Sequence, residues 1–196
     1  SYADREDNEV IDRMDDFLQM VEPRINRAFK TRRQAVRATV DSIDGQLFYG
    51  LPDDFLGIRD IEVYDFADTS KRQTLEYSSP SYMNLLTQNN ATPDKGYYTI
   101  IADQFQIYPA INAGRVIEIT YYQDLIPLSS TNTENWVSRY NPDSYVHGLL
   151  VEISAFVKDG QASALWETRF QRSLTEIERE DDISRWSGTP MQIRSI

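Results

Sequence analysis

Apolar side chains in this chain keep a helical period at both ends and a period of two in between, and that change of rhythm decides most of what the chain can fold into. Val10, Ile11, Met14, Phe17, Leu18, Val21, Ile25, Ala28 and Phe29 recur every three or four positions, which is one face of an α-helix. Pro23 interrupts the pattern: proline has no N–H to donate, and its ring disfavours helical geometry at Glu22. The expectation is a kink, or two helices meeting at Glu22 and Pro23.

From Ala35 to Pro127 the pattern shortens to alternation, with β-branched and aromatic residues in short runs bounded by turn residues. Ala35 to Asp41 and Gln46 to Leu51 flank Asp44-Gly45, a pair that tolerates positive φ and signals a hairpin. Ile58 to Tyr64 and Arg72 to Tyr77 flank Asp68-Thr69-Ser70 in the same way. Tyr97 to Ile101 and Phe105 to Tyr108 flank Ala102-Asp103. In Val116 to Tyr122 the residues Ile117, Ile119 and Tyr121 alternate with Val116, Glu118 and Thr120, so one face is buried and one is wet. Ser81 to Thr87, introduced by Ser79-Pro80, reads as a helical turn, and Gln88 to Gly96 as a loop.

Beyond Pro127 the helical period returns. Asn141 and Pro142 open a helix whose stripe is Val146, Leu149, Leu150, Ile153, Phe156 and Val157. Gly160 ends it. A second helix runs from Gln161 to about Asp182 with Ala162, Leu165, Trp166, Phe170, Leu174 and Ile177 on one face, and the short link implies an antiparallel pair. No repeat or linker divides the chain. The expected fold class is α+β: a helical bundle built from the N- and C-terminal helices, with an inserted antiparallel β unit of about six or seven strands. The corresponding division is 1–34 and 141–183 for the helical domain, 35–127 for the β domain, 128–140 for a connecting loop and 184–196 for a C-terminal arm.

The 196 residues hold no cysteine and one histidine, which removes disulfides, thiol nucleophiles and cysteine-bound zinc from consideration. The longest apolar runs, such as Gly148 to Ile153, fall far short of the ~20 residues of a membrane-spanning helix, and the acidic start is unlike a secretory signal. His147 sits next to Gly148 on an expected helix with no nucleophile motif nearby, so helix packing or a subunit contact explains it better than catalysis. The carboxylate pairs Asp15-Asp16, Asp53-Asp54 and Asp181-Asp182 could serve as acid and base if burial split their pKa values, but adjacent acids at turns and on surfaces are ordinary. Asp41, Asp44 and Gly45 lack the spaced ligands and terminal Glu of a calcium loop. No phosphate loop, dinucleotide fingerprint, zinc-protease helix or nucleophile elbow is present. No catalytic, cofactor or metal site is expected.

Charge is arranged in blocks. Ser1 to Glu22 holds eight acidic side chains against Arg5 and Arg13, a net of −6, whereas Arg24, Arg27, Lys30, Arg32, Arg33 and Arg37 follow with no acid before Thr39, a net of +6. Such a strip serves as a solvated face, a contact with a neighbouring subunit, or a phosphate-binding surface. The chain as a whole carries 20 basic against 31 acidic side chains, net −11; specific duplex binders are usually net positive, and an acidic surface repels passing DNA. Aromatics make up 12% of residues, which favours contact surfaces, although Tyr is also common on strand faces. The last segment, with Trp186, Met191, Ile193 and Ile196, has apolar groups and no period.

The stretches REDNEVIDRMDDFLQMVEPRINRAFKTRRQ, LPDDFLGIRDIEV, YYTIIADQFQIYPA, ITYYQDLIPLS, NWVSRYNPDSYVHGLLVEISAFVKD and SGTPMQIR, in that order, resemble the tailed-bacteriophage adaptor proteins, also called head-to-tail connector or head-completion proteins, over nearly the full length. The resemblance implies a structural ring, commonly of twelve copies, in the virion: docked beneath the portal protein at one capsid vertex, carrying the tail tube or nozzle, and passing genomic DNA without sequence-specific binding. Its assembly would take place in the bacterial cytoplasm, without membrane or cofactor. Helices of neighbouring subunits would pack around the channel, the β unit would project outward or tailward, and the C-terminal segment would reach the portal, making Trp186, Met191, Ile193, Arg194 and Ile196 portal contacts. The other readings are a DNA-binding module using Arg24 to Arg37 and a hydrolase built on the carboxylates.

Overall fold

The computed structural model describes residues 8–186. In chain order the elements are α1 (Asn8–Asp12), α2 (Met14–Ala28), a 3-10 turn (Arg32–Gln34), β1 (Ala35–Asp41), β2 (Phe48–Gly50), β3 (Phe55–Asp65), β4 (Arg72–Thr74), β5 (Glu76–Tyr77), α3 (Pro80–Gln88), β6 (Tyr97–Ile101), β7 (Gln104–Tyr108), β8 (Arg115–Gln123), α4 (Trp136–Tyr140), α5 (Pro142–Phe156) and α6 (Gly160–Trp186). The chain is mixed α+β and forms two compact units, one from 1–33 with 125–196 and one from 34–124.

The helical unit is built where the apolar period is 3.6. Val21, Ile25 and Phe29 from the α2 segment meet Tyr145 and Val151 of α5 and Trp166, Phe170, Leu174 and Ile177 of α6 in one buried cluster. The break in the first helix lies at Arg13 and not at Pro23: the Arg13 N–H reaches back three residues to the Val10 carbonyl at 3.3 Å, and α2 continues through the proline. An interior proline costs about 3 kcal/mol. Tertiary contacts on both sides of it offset that cost. Val21 and Ile25 are fully buried, and the buried Glu22 carboxylate accepts hydrogen bonds from the Leu128 N–H at 2.7 Å and the Tyr145 hydroxyl at 3.2 Å.

The segment read as a connecting loop contains α4, whose cap is reciprocal: Asn135 Oδ1 accepts from the Ser138 N–H, and Ser138 Oγ accepts from the Asn135 N–H. Helix α6 runs one turn past the expected end at Asp182, through Trp186. Gly148 lets α5 approach its neighbours. A Cβ there would lie 2.6 Å from Val21 Cγ1 and 3.2 Å from Phe170 Cε2, and both neighbours are fully buried and unable to move aside. Gly148→Ala is therefore expected to destabilise the helical unit by about 1–3 kcal/mol, read as a lower denaturation midpoint, despite the higher helix propensity of alanine.

The β unit has two four-stranded sheets, β1-β8-β3-β4 and β2-β7-β6-β5, around a core of Ile61, Val63, Leu75, Tyr98, Phe105, Ile107, Ile117, Ile119 and Tyr121. Alternation on β8 places Ile117, Ile119 and Tyr121 inward, as period two requires, but the other face is not wet as expected: Val116 and Glu118 are buried as well. Eight strands form where six or seven were expected, because the run Arg72 to Tyr77 changes sheets at Leu75. The Leu75 N–H still donates to the Ile61 carbonyl of β3 at 2.9 Å, while the next N–H, from Glu76, donates to Gly96 at 2.9 Å, and β5 then pairs parallel with β6.

The hairpin expected between the first two strands is absent: β1 pairs with β8 and β2 with β7. The turn itself is real. Gly45 has φ 74°, and the Gln46 N–H bonds the Ile43 carbonyl at 3.0 Å. Side chains around it tie the chain to the start of β8 instead. Asp44 Oδ1 accepts from the Ala113 N–H at 2.9 Å, and Ser42 Oγ donates to the Asn112 and Arg115 carbonyls. The other two expected hairpins form as β3-β4 and β6-β7. Helix α3 is capped by Ser79 Oγ, which accepts from the Tyr82 N–H.

Candidate functional site

The basic strip does not form one continuous face. Arg24 is turned into the helical unit, where Nη1 donates to Glu152 of α5 at 3.0 Å and Nη2 to Glu167 of α6 at 2.6–2.7 Å. Its guanidinium carbon lies 4.8 Å from the centre of the Phe170 ring. Burial weakens its hold on the proton, but the hydrogen bonds and charges of Glu167 and Glu152 outweigh that and raise its pKa above the ordinary arginine value. Burial likewise works against the Glu167 carboxylate, yet hydrogen bonds from Arg24 and Gln171 win and hold its pKa below the ordinary range.

Arg32 reaches the buried Asp181 of α6 twice, through Nε at 3.4 Å and through its backbone N–H at 3.2 Å. The guanidinium of Arg33 lies 4.0 Å from the centre of the Tyr140 ring. Arg27 and Lys30 are exposed. Arg32, Arg33, Trp136, Tyr140, Ile177 and Asp181 line a groove of about 170 Å³. Arg37 belongs to the β unit, on β1, 3.5 Å from Glu118 of β8. There Arg72 Nη1 also bridges Glu118 at 2.9 Å and Glu62 at 2.7 Å, and so offsets the repulsion between two glutamates that stand opposite each other in register. Trp186 closes α6, while its side chain and the residues Met191, Ile193, Arg194 and Ile196 lie outside the described part.

Of the carboxylate pairs, Asp54 and Asp181 have structural partners, whereas Asp15, Asp16, Asp53 and Asp182 are exposed. Asp15 and Asp16 are exposed in the first turn of α2, where the helix dipole favours negative charge. Asp54 accepts from the Tyr121 hydroxyl at 2.9 Å and from Gln123 Nε2. Asp181 is held by Arg32, as above, and Asp182 is exposed. Asp124, also exposed, has its carboxyl raised by partial burial and then by the charge of Asp54. Among the described residues no cluster of three or more acidic or histidine side chains could hold a metal ion.

His147 stacks on Trp166 with ring centres 5.7 Å apart, and the nearby Ser173 hydroxyl is committed to the Phe170 carbonyl at 2.8 Å. The residues that sequence reasoning missed form a buried polar chain: Asn135 Nδ2 donates to the Tyr145 hydroxyl at 2.7 Å, and that hydroxyl donates to Glu22. A lone glutamate beside the apolar stripe at Val21 was the available signal.

Tyr121 supplies a pH test of the β unit. Burial, and then its hydrogen bond to Asp54, push its phenol up to about 12 from the usual 10.0. The folded state thus binds this proton more tightly than the unfolded state, so the stabilisation is complete below pH 10 and disappears as pH rises towards 12. Phenolate absorbance should show this tyrosine titrating late, and Tyr121→Phe should flatten the alkaline loss of stability.

No helix among the described residues is long and apolar enough to cross a membrane. The sequence matches the family described as SU10 adaptor protein over residues 1–194. No curated protein matches the chain.

Proposed function

The chain belongs to the SU10 adaptor protein family, a family of bacteriophage structural proteins, and on that premise we propose that it is the adaptor ring of a virion neck. In this reading identical copies, commonly twelve, sit beneath the portal and carry the tail nozzle or tube, and genomic DNA passes along the axis. The family match over 1–194 carries the proposal. A net charge of −11 supports it, since an acidic lining keeps DNA sliding without adhesion. His147 stacked on Trp166, Asp54 bonded by the Tyr121 hydroxyl and Asp181 held by Arg32 are in keeping with a structural role.

The C-terminal residues Trp186, Met191, Ile193, Arg194 and Ile196 are the proposed portal contacts, being apolar and Arg-bearing. Because α6 runs through Trp186, the informative truncation removes 187–196 and leaves Gly160–Trp186 in place. The expected result is an unchanged melting temperature together with loss of co-sedimentation with portal rings. A truncated chain that binds portal as well as the full chain does would overturn the contact assignment, and a full chain that ignores portal rings would overturn the adaptor reading.

A further inference from the structure

The charge blocks of α1 and α2 are too far apart to satisfy each other within one copy. Eleven residues separate Asp16 from Arg27, about 16 Å along a helix at 1.5 Å per residue, which is twice the ~8 Å screening length at physiological salt. Acids at the start and bases at the end of α2 suit the helix dipole, but the dipole does not account for the apolar groups placed among them. Ile11 and Met20 are 60% and 55% exposed beside the acidic Glu9, Asp12, Asp15 and Asp16, while Tyr140 is 54% exposed beside Arg33. The groove next to Arg32 and Arg33 has Trp136, Tyr140 and Ile177 in its lining. Trp136 Nε1 is enclosed and has no hydrogen-bond partner among the described residues.

We infer that the acidic start of α1 and α2 of one copy docks on the basic end of α2 and the adjoining Trp136 groove of a second copy. The inference rests on the adaptor reading and names its subunit interface. The two surfaces differ, so the contact is heterologous, and repetition of it closes a ring when the rotation permits. Opposed charges set the orientation, and Ile11 and Met20 supply the apolar anchors. The basic strip then serves a sibling chain and not DNA.

The test is a charge swap in the full chain, with sedimentation and light scattering used to read mass across a concentration series and on portal rings. Arg27→Glu with Arg33→Glu sets two acids against Asp15 and Asp16 of the neighbouring copy, and Asp15→Lys with Asp16→Lys sets two cations against its Arg27 and Arg33. Each pair alone is expected to weaken association at least about 100-fold, because like charges face each other. Mixing the two variants should restore assembly. So should the fourfold swap within one chain, which keeps the net charge of −11. Circular dichroism checks that each variant is folded, and Asp15→Asn with Asp16→Asn replaces the lysine pair if the helix start does not tolerate cations. Folded single-surface variants that assemble like the wild type would overturn the interface and leave the adaptor reading intact. A wild-type chain that stays monomeric both alone and on portal would overturn both.

Discussion

Replacing Phe170 with alanine is expected to lower the stability of the helical unit by about 3–5 kcal/mol, the range for emptying a fully buried aromatic site. Phe170 is 0% exposed on α6. Its ring faces the two elements that pack on that helix: the guanidinium of Arg24 from α2 and the backbone of α5 at Gly148. The truncation removes apolar contact, leaves a cavity that rigid helices collapse into only partly, and takes away the ring beneath the cation. Phe170→Leu keeps most of the volume and should lose clearly less. Chemical denaturation measures the difference, and amide exchange should show the loss in α2, α5 and α6. A loss below 1 kcal/mol would mean that the three helices do not depend on this contact.

How much of this was legible in the sequence depended on whether a signal was local. The stripes at Val21-Ile25 and Phe170-Leu174-Ile177 reported a buried face correctly, because helical periodicity is a property of neighbouring residues. Alternation in Ile117-Ile119-Tyr121 did the same for β8. Pro23 does not divide the helix, because burial of Val21 and Ile25 and the tertiary hydrogen bonds to Glu22 together offset its local cost. Asp44-Gly45 encoded a turn yet could not say which strand would follow, since pairing was decided by Ser42 and Asp44 reaching to residues about 70 positions later. Leu75 split one apparent strand into two for the same kind of reason: its neighbours belong to different sheets.

The basic strip shows the limit most sharply. Counting charges from Arg24 to Thr39 treats six cations as equivalent, whereas the fold gives them separate tasks. The Arg24 guanidinium, between Glu152 and Glu167, is a packing element, whereas Arg33, beside the groove, is one that the proposed subunit contact would use. That difference depends on Glu152 and Glu167, which lie more than 120 positions away, and no local pattern carries it.

Arg24→Met should therefore act on stability and leave any affinity for DNA alone. The substitution retains an unbranched side chain against Phe170 but leaves Glu152 and Glu167 without their cation. Removing one partner of a fully buried pair costs about 3–5 kcal/mol; this site is partly solvated, with Glu167 more open than Glu152, so about 2–4 kcal/mol is expected. Adding Glu167→Gln and Glu152→Gln should recover part of the loss, as a double-mutant cycle would resolve. The pH dependence has a definite sign. The Glu167 carboxyl is held below its usual 4.5 in the folded chain, so its contribution is present above that pH and is lost as pH falls through the depressed value. The Arg24→Met variant should lack that acid limb. If Arg24 instead contacted phosphates, its removal would lower the salt slope of DNA binding by about 1 while the denaturation midpoint stayed put, which is the opposite pattern.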